Sequence, residues 1–114
     1  MRIYIAGPIT GYDLGERLVF FREKRAELDR RGHEGVNPLE CHELGIPWEA
    51  ALKADLQELC RCDAILLTPG WEKSRGARLE LHVALELGLK VILDEEAGSC
   101  GIPEVSGSIR FSTS

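Results

Sequence analysis

A chain of 114 residues, 44% of them hydrophobic and 29% charged, is long enough for one buried core and too short for two, and its composition is neither disordered nor fibrous. Its 14 Lys and Arg against 19 Asp and Glu leave a formal charge of -5, which argues against the clustered basic surface that a nucleic-acid polymer requires. A small anionic ligand stays compatible with that charge, because backbone N–H groups at a helix N-terminus hold an anion unaided.

The opening MRIYIAGPITG has too short an apolar run for a signal peptide, and no later segment reaches membrane-spanning length. A cytoplasmic location without a membrane partner is therefore expected. Cys41, Cys60, Cys62 and Cys100 form no CxxC pair and are expected as free thiols. A zinc site from Cys41, His42, Cys60 and Cys62 would match none of the common ligand spacings, and neither metal nor cofactor is expected.

In chain order, residues 2–6 read as a short buried strand that runs into Gly7-Pro8-Ile9-Thr10-Gly11, a loop punctuated by glycine and proline. Residues 14–31 carry a helical stripe of Leu18, Phe21 and Leu28, with Arg22, Lys24 and Arg30 outside it, stopped by Gly32. Residues 35–38 form a second short strand ending at Pro38, and residues 39–47 lack periodicity and read as a surface excursion, with His33 and His42 on the surface. A helix over 48–61, a near-continuous apolar strand over 63–68 and the loop Pro69 to Lys73 follow. Ser74 is placed to cap a helix reaching Leu87, Gly88 to stop it, and residues 90–93 to form a fourth strand. The Gly- and Ser-rich end offers one weak strand near residues 108–111.

Strands alternating with helices imply right-handed crossovers, hence a single three-layer α/β domain over residues 1–114 of the flavodoxin/Rossmann-like kind, with a parallel sheet of four to five strands. Ligands in such sheets bind beyond the carboxyl ends of the strands. This singles out the loops at 7–11, 37–38 and 69–74.

At about 100° per residue, Ala77, Leu81, Ala84 and Leu87 share one arc of the helix after Ser74, and Glu80 falls inside it. On the preceding helix Asp55 lies with Trp48 and Ala51 on the inner side. Inward carboxylates are costly unless paired, hydrogen-bonded or protonated. Each could bond a loop backbone or sit at a wet edge; alternatively both line a cleft, one as nucleophile and the other as proton donor or acceptor.

The stretches IYIAGPITG, KADLQELCRCDAILLTPGWEKSRGARLE and VALELGLKVI together resemble the nucleoside 2-deoxyribosyltransferase superfamily, and more closely a branch of small chains often encoded by phages and prophages. The similarity runs over residues 2–93. It implies an enzyme that cleaves the N-glycosidic bond of a (deoxy)nucleoside or nucleoside 5′-monophosphate, as hydrolase or base-exchanging transferase. Glu80 would attack the anomeric carbon, Asp55 would handle the proton of the departing base, and Tyr4 would hydrogen-bond near the nucleophile. Tyr4 by itself reads equally as a core aromatic.

The resemblance also makes Ser74 a candidate phosphate contact, followed by Arg75 and Gly76, whereas by its position alone it is an N-cap. Two positions depart from the hydrolases of the superfamily: Thr10 stands where they have an arginine in the first loop, and His82 where a glycine often follows the catalytic glutamate. The first loop, Gly7, Pro8, Ile9, Thr10 and Gly11, is expected to bind substrate with Ser74 and Gly76. Trp71 is a candidate for stacking on a base or for packing on its own loop, and Asn37 either reaches the cleft or shapes the turn before Pro38. Relatives build their sites from two subunits, so a homodimer or larger assembly is expected, with the tail residues Ser108, Arg110 and Phe111 reaching across. The rival reading is a non-catalytic nucleotide-binding or protein-interaction module on the same fold.

Overall fold

The structure, a computed structural model, describes residues 1–99, 102 and 105–111; Cys100 lies outside them. Five strands and three helices alternate as β1 (Arg2–Ala6), α1 (Leu14–Arg30), β2 (Glu34–Val36), α2 (Trp48–Leu59), β3 (Ala64–Leu67), α3 (Arg75–Glu86), β4 (Lys90–Asp94) and β5 (Gly107–Ile109). Single 3-10 turns follow β2 at Pro38–Glu40 and β3 at Trp71–Lys73. Among the described residues no helix is long and apolar enough to cross a membrane.

All strand pairs are parallel, in the order β2-β1-β3-β4-β5. The inner strands β1 and β3 are short and apolar because both faces are covered there, so the side chains of residues 3–6 and 64–67 each enter one of two cores. Ile3, Ile5, Ala64, Leu66 and Ile92 meet Phe21 and Leu28 of α1 on one face. Tyr4, Ala6, Ile65 and Leu67 meet Leu59 of α2 and Ala77, Leu81 and Ala84 of α3 on the other. The period-2 alternation of β1 thus sends Tyr4, with its hydroxyl, to the side of α2 and α3, while its neighbours Ile3 and Ile5 face α1.

Side-chain caps set where α1 and α3 begin. The Asp13 carboxylate accepts from the Glu16 N–H at 2.9 Å, and the Ser74 hydroxyl oxygen accepts from the Ala77 N–H at 3.1 Å, each satisfying a donor that the first turn leaves open.

Two glycines hold the loops after β1 and β3 together. At Gly7 a Cβ would overlap the Thr68 hydroxyl, which donates to the Ala6 carbonyl at 2.8 Å across the β1–β3 pair. Gly70 turns the β3 loop with a φ of +88°, and a Cβ there would press on the Pro8 ring.

Two contacts order the periphery. Lys24 is not simply outside the α1 stripe, since its ammonium pairs with the buried Asp94 at 2.6 Å and lies 3.7 Å from the centre of the Phe111 ring. The tail has an intramolecular place: β5 extends the sheet beyond β4, and Arg110 pairs with Glu95 at 2.6 Å.

Candidate active site

From β1 the chain crosses to β2 on one side and, through α2, to β3 on the other, so the strand order reverses at β1. Loops diverge from the carboxyl ends at such a point and leave a crevice. A cavity of about 610 Å³ opens there. Its walls are Gly7, Pro8, Ile9 and Thr10 after β1, Pro38, Leu39 and His42 after β2, Trp48, Leu52 and Asp55 of α2, and Lys73, Ser74, Gly76 and Glu80 around α3, with Tyr4 at the floor.

The Tyr4 hydroxyl donates to Glu80 Oε2 at 2.5 Å, and both residues are buried, Tyr4 at 0% and Glu80 at 5% exposure. This is a strand-to-helix bond made possible by the parity of β1 and by the inward place of Glu80 on α3. Burial pushes the Glu80 carboxyl up to about 8; the Tyr4 hydrogen bond pulls it down and the Asp55 charge pushes it further up. Burial, then the Glu80 charge, raises the Tyr4 phenol well above its ordinary value, so it stays a donor. Asp55 is buried on the adjacent wall, and burial pushes its carboxyl up to about 7, opposed by His42. Two buried carboxyls that both resist ionisation, with a fixed phenol donor on one of them, can hold a proton near neutrality.

Of the residues singled out in the sequence, Tyr4, Asp55, Glu80, Gly7, Pro8, Ile9, Thr10, Ser74 and Gly76 share this one cavity. Gly11 does not line it. Trp71 does not either: it is buried at 4% exposure in the core, and its indole N–H donates to the Gly98 carbonyl at 2.8 Å. Its packing partners, rather than a ligand, cover its ring. Asn37 shapes the turn, its side-chain oxygen accepting from the Leu39 N–H at 3.0 Å and its amide donating to Glu40 at 3.1 Å. The Ser74 hydroxyl both lines the cavity and caps α3.

Three residues escaped the sequence reading. His42 is not a surface residue: it is folded into the cavity wall with Nε2 3.4 Å from Asp55 Oδ1. Trp48 is the tryptophan that faces the cavity, with the Arg75 guanidinium 4.3 Å above its ring. The signal for it was its place on the same arc as Asp55. Arg17 is buried at the back of the first loop among the rings of Tyr12, Phe20 and Phe21, at 5.2, 4.2 and 5.1 Å, with Nε and Nη2 free of hydrogen-bond partners among the described residues. Burial lowers its pKa, and the aromatic faces partly compensate the lost water.

The chain belongs to a domain family of unknown function, DUF4406, whose profile matches residues 1–93. No curated protein matches it. Its fold is shared with a CMP N-glycosidase of Clostridium botulinum, at 23% identity and a TM-score of 0.57 over 82% of this chain and 67% of that one. It is shared equally with a conserved protein of Enterococcus faecalis, at 20% identity and a TM-score of 0.62 over 82% and 62% of the two chains. A 2-desoxiribosyltransferase of Leishmania mexicana gives 24% identity and a TM-score of 0.63 over 82% and 63%. The chain therefore spans about two thirds of the length of the solved structures it matches.

The burial of Glu80 has a measurable consequence. Its carboxyl titrates near about 8 in the fold against the ordinary 4.5, so the folded state holds the proton more tightly than the unfolded one. Stability contributed this way is present at low pH and is lost as pH rises through about 8, and Asp55 acts in the same direction up to about 7. Glu80→Gln keeps the shape and an acceptor for Tyr4 while removing the ionisation. In urea denaturation at pH 5 and pH 8, the wild type should lose more stability between the two than the variant; equal losses would mean that Glu80 is not a desolvated acid.

Proposed function

We propose that this domain cleaves the N-glycosidic bond of a (deoxy)nucleoside or nucleoside 5′-monophosphate through a covalent glycosyl intermediate on Glu80. The observation that carries the reading is the pair of buried carboxyls, Glu80 on its Tyr4 donor and Asp55 on the next wall, in one cavity beyond the strand ends. Breaking such a bond develops oxocarbenium character, which calls for a carboxylate against the sugar and a proton source at the leaving group. The fold shared with an N-glycosidase and a deoxyribosyltransferase agrees with that chemistry.

In the first step Glu80 reacts as the carboxylate, the form that the Tyr4 hydrogen bond favours: its free oxygen bonds to the anomeric carbon as the carbon–nitrogen bond breaks, the electron pair of that bond goes to the base, and the Asp55 carboxyl gives the base a proton. In the second step water, or the nitrogen of a second base, attacks the same carbon. The ester bond to Glu80 breaks, and the proton of the acceptor returns to Asp55. The net reaction exchanges the base for a hydroxyl or for another base and leaves both carboxyls as they began. Tyr4 fixes the unreactive oxygen of Glu80, so that the other is presented to the sugar.

The N-terminus of α3, with Lys73, Ser74 and Arg75 on the cavity wall, is the place for a 5′-phosphate, since free N–H groups and the helix dipole favour an anion there. Tyr12, Leu14 and Leu44 line the mouth of the cavity and are 50%, 45% and 48% exposed, an apolar rim suited to cover by a second copy of the chain. Such cover would keep water from the glycosyl intermediate except at the acceptor position.

Three measurements test these readings. Incubation with a panel of nucleosides and monophosphates, followed by chromatography, should show release of base, and Glu80→Ala should lower the rate by about 1,000-fold or more with the fold intact. A variant retaining most of the wild-type rate would remove Glu80 as nucleophile. Ser74→Asp keeps a good N-cap but puts a negative charge at the phosphate position, so calorimetry should find monophosphate binding weakened about tenfold more than nucleoside binding. Equal losses would take Ser74 out of that subsite. Sedimentation at micromolar concentration should give a dimer or larger species, and a monomer that still turns over substrate would sink the shared rim.

A further inference from the structure

His42 stands in the one segment that the sequence left without a role, and its two ring nitrogens have different surroundings. Nδ1 lies 2.9 Å from the Glu43 carbonyl oxygen. A carbonyl only accepts, so this contact places a hydrogen on Nδ1. Nε2 then has no hydrogen of its own in the neutral ring, and it faces Asp55 Oδ1 at 3.4 Å. Oδ1 is buried and has no hydrogen-bond partner among the described residues, so the His42 nitrogen is the polar atom that faces it. Both side chains are 11% exposed, so solvent screens them little. The remaining groups around Asp55 are Tyr4 of β1, Glu80 of α3 and the Cys41 thiol, which sense its charge; Cys41 is itself pushed up to about 12 by burial and stays protonated, donating to the Asn37 carbonyl at 3.3 Å.

We infer that His42 is a positioning residue acting through Asp55, the two sharing a single proton between Nε2 and Oδ1 that serves as the proton delivered to the departing base. The inference rests on the glycosidic reading above. With Nδ1 tied to the backbone, the pair is neutral whichever partner holds the proton: a carboxyl beside an imidazole, or a carboxylate beside an imidazolium. When the base departs, Asp55 passes the proton to the base nitrogen that received the electron pair of the broken bond. The carboxylate left behind stays 3.4 Å from His42 until the acceptor returns a proton in the second step. The single negative charge thus moves from Glu80 to Asp55 in the first step and back to Glu80 in the second, and no outside reagent is consumed.

The test compares two leaving groups on one sugar. With a nucleoside substrate, whose base must be protonated to leave, His42→Gln should lower kcat/KM about 100-fold, as expected for an impaired general acid. With the 4-nitrophenyl 2-deoxyriboside, whose anion leaves without a proton, the same variant should stay within about threefold of the wild type, and Asp55→Asn should show the same split. An equal loss on both substrates, or no loss on either, would overturn the role of His42. Since a wild type that cleaves neither substrate would count against the glycosidic reading itself, the ring is also read without turnover. Nitrogen-15 shifts of His42 should show Nδ1 protonated, with the Nε2 shift moving on Asp55→Asn; a ring with its hydrogen on Nε2 and a bare Nδ1 would overturn the shared proton independently of any activity.

Discussion

The hydrogen bond from Tyr4 to Glu80 joins β1 to the helix α3, and it does so at the buried floor of the cavity, where little of either partner is exposed. A carboxyl there is tolerated only because a donor is already in position, and that donor is in position only because β1 presents every second side chain to the same face. The apolar cluster around it, with Ile65, Leu67, Leu81 and Ala84, keeps the pair dry. The same dryness pushes up both carboxyls in the cavity, so the packing of the core and the acid–base character of the site have a single cause.

Around that bond each wall has a separate origin. The first loop reaches the cavity because Gly7 and Gly70 let the ends of β1 and β3 lie close. The third wall comes from a helix whose start is set by Ser74, so the capping that begins α3 also brings Lys73 and Arg75 to the rim. The segment between β2 and α2, irregular in sequence, carries His42 inward over Asp55. Local structure and chemistry share the same residues here, as at Ser74, which is why these positions are poor places to separate stability from function.

The elements were legible from the sequence because each rests on a local rule: the apolar runs of the strands, the 3.6-residue stripe of the helices, the cap at Ser74. The inward place of Glu80 and Asp55 was legible too, since a helical wheel needs only spacing. For Trp71 the sequence leaves stacking and packing open, and the described residues have it packed: the single 3-10 turn at Trp71–Lys73 rolls its ring into the core and gives its N–H the Gly98 carbonyl. His42 and Arg17 were invisible for another reason. Nothing local marks a histidine in a segment without period, or an arginine on a polar-looking helix face, as turned inward; only the approach of distant elements makes them so.

The place of β5 bears on a different property of the molecule. A parallel sheet that ended at β4 would present that strand's free N–H and C=O groups along one side, a template on which a strand of another molecule could add. Three residues, Gly107–Ile109, occupy that side instead, and Arg110 and Phe111 anchor them through Glu95 and Lys24. The new border is too short to template much pairing in its turn. The free side of β4 is thus closed within the chain itself by a strand of three residues.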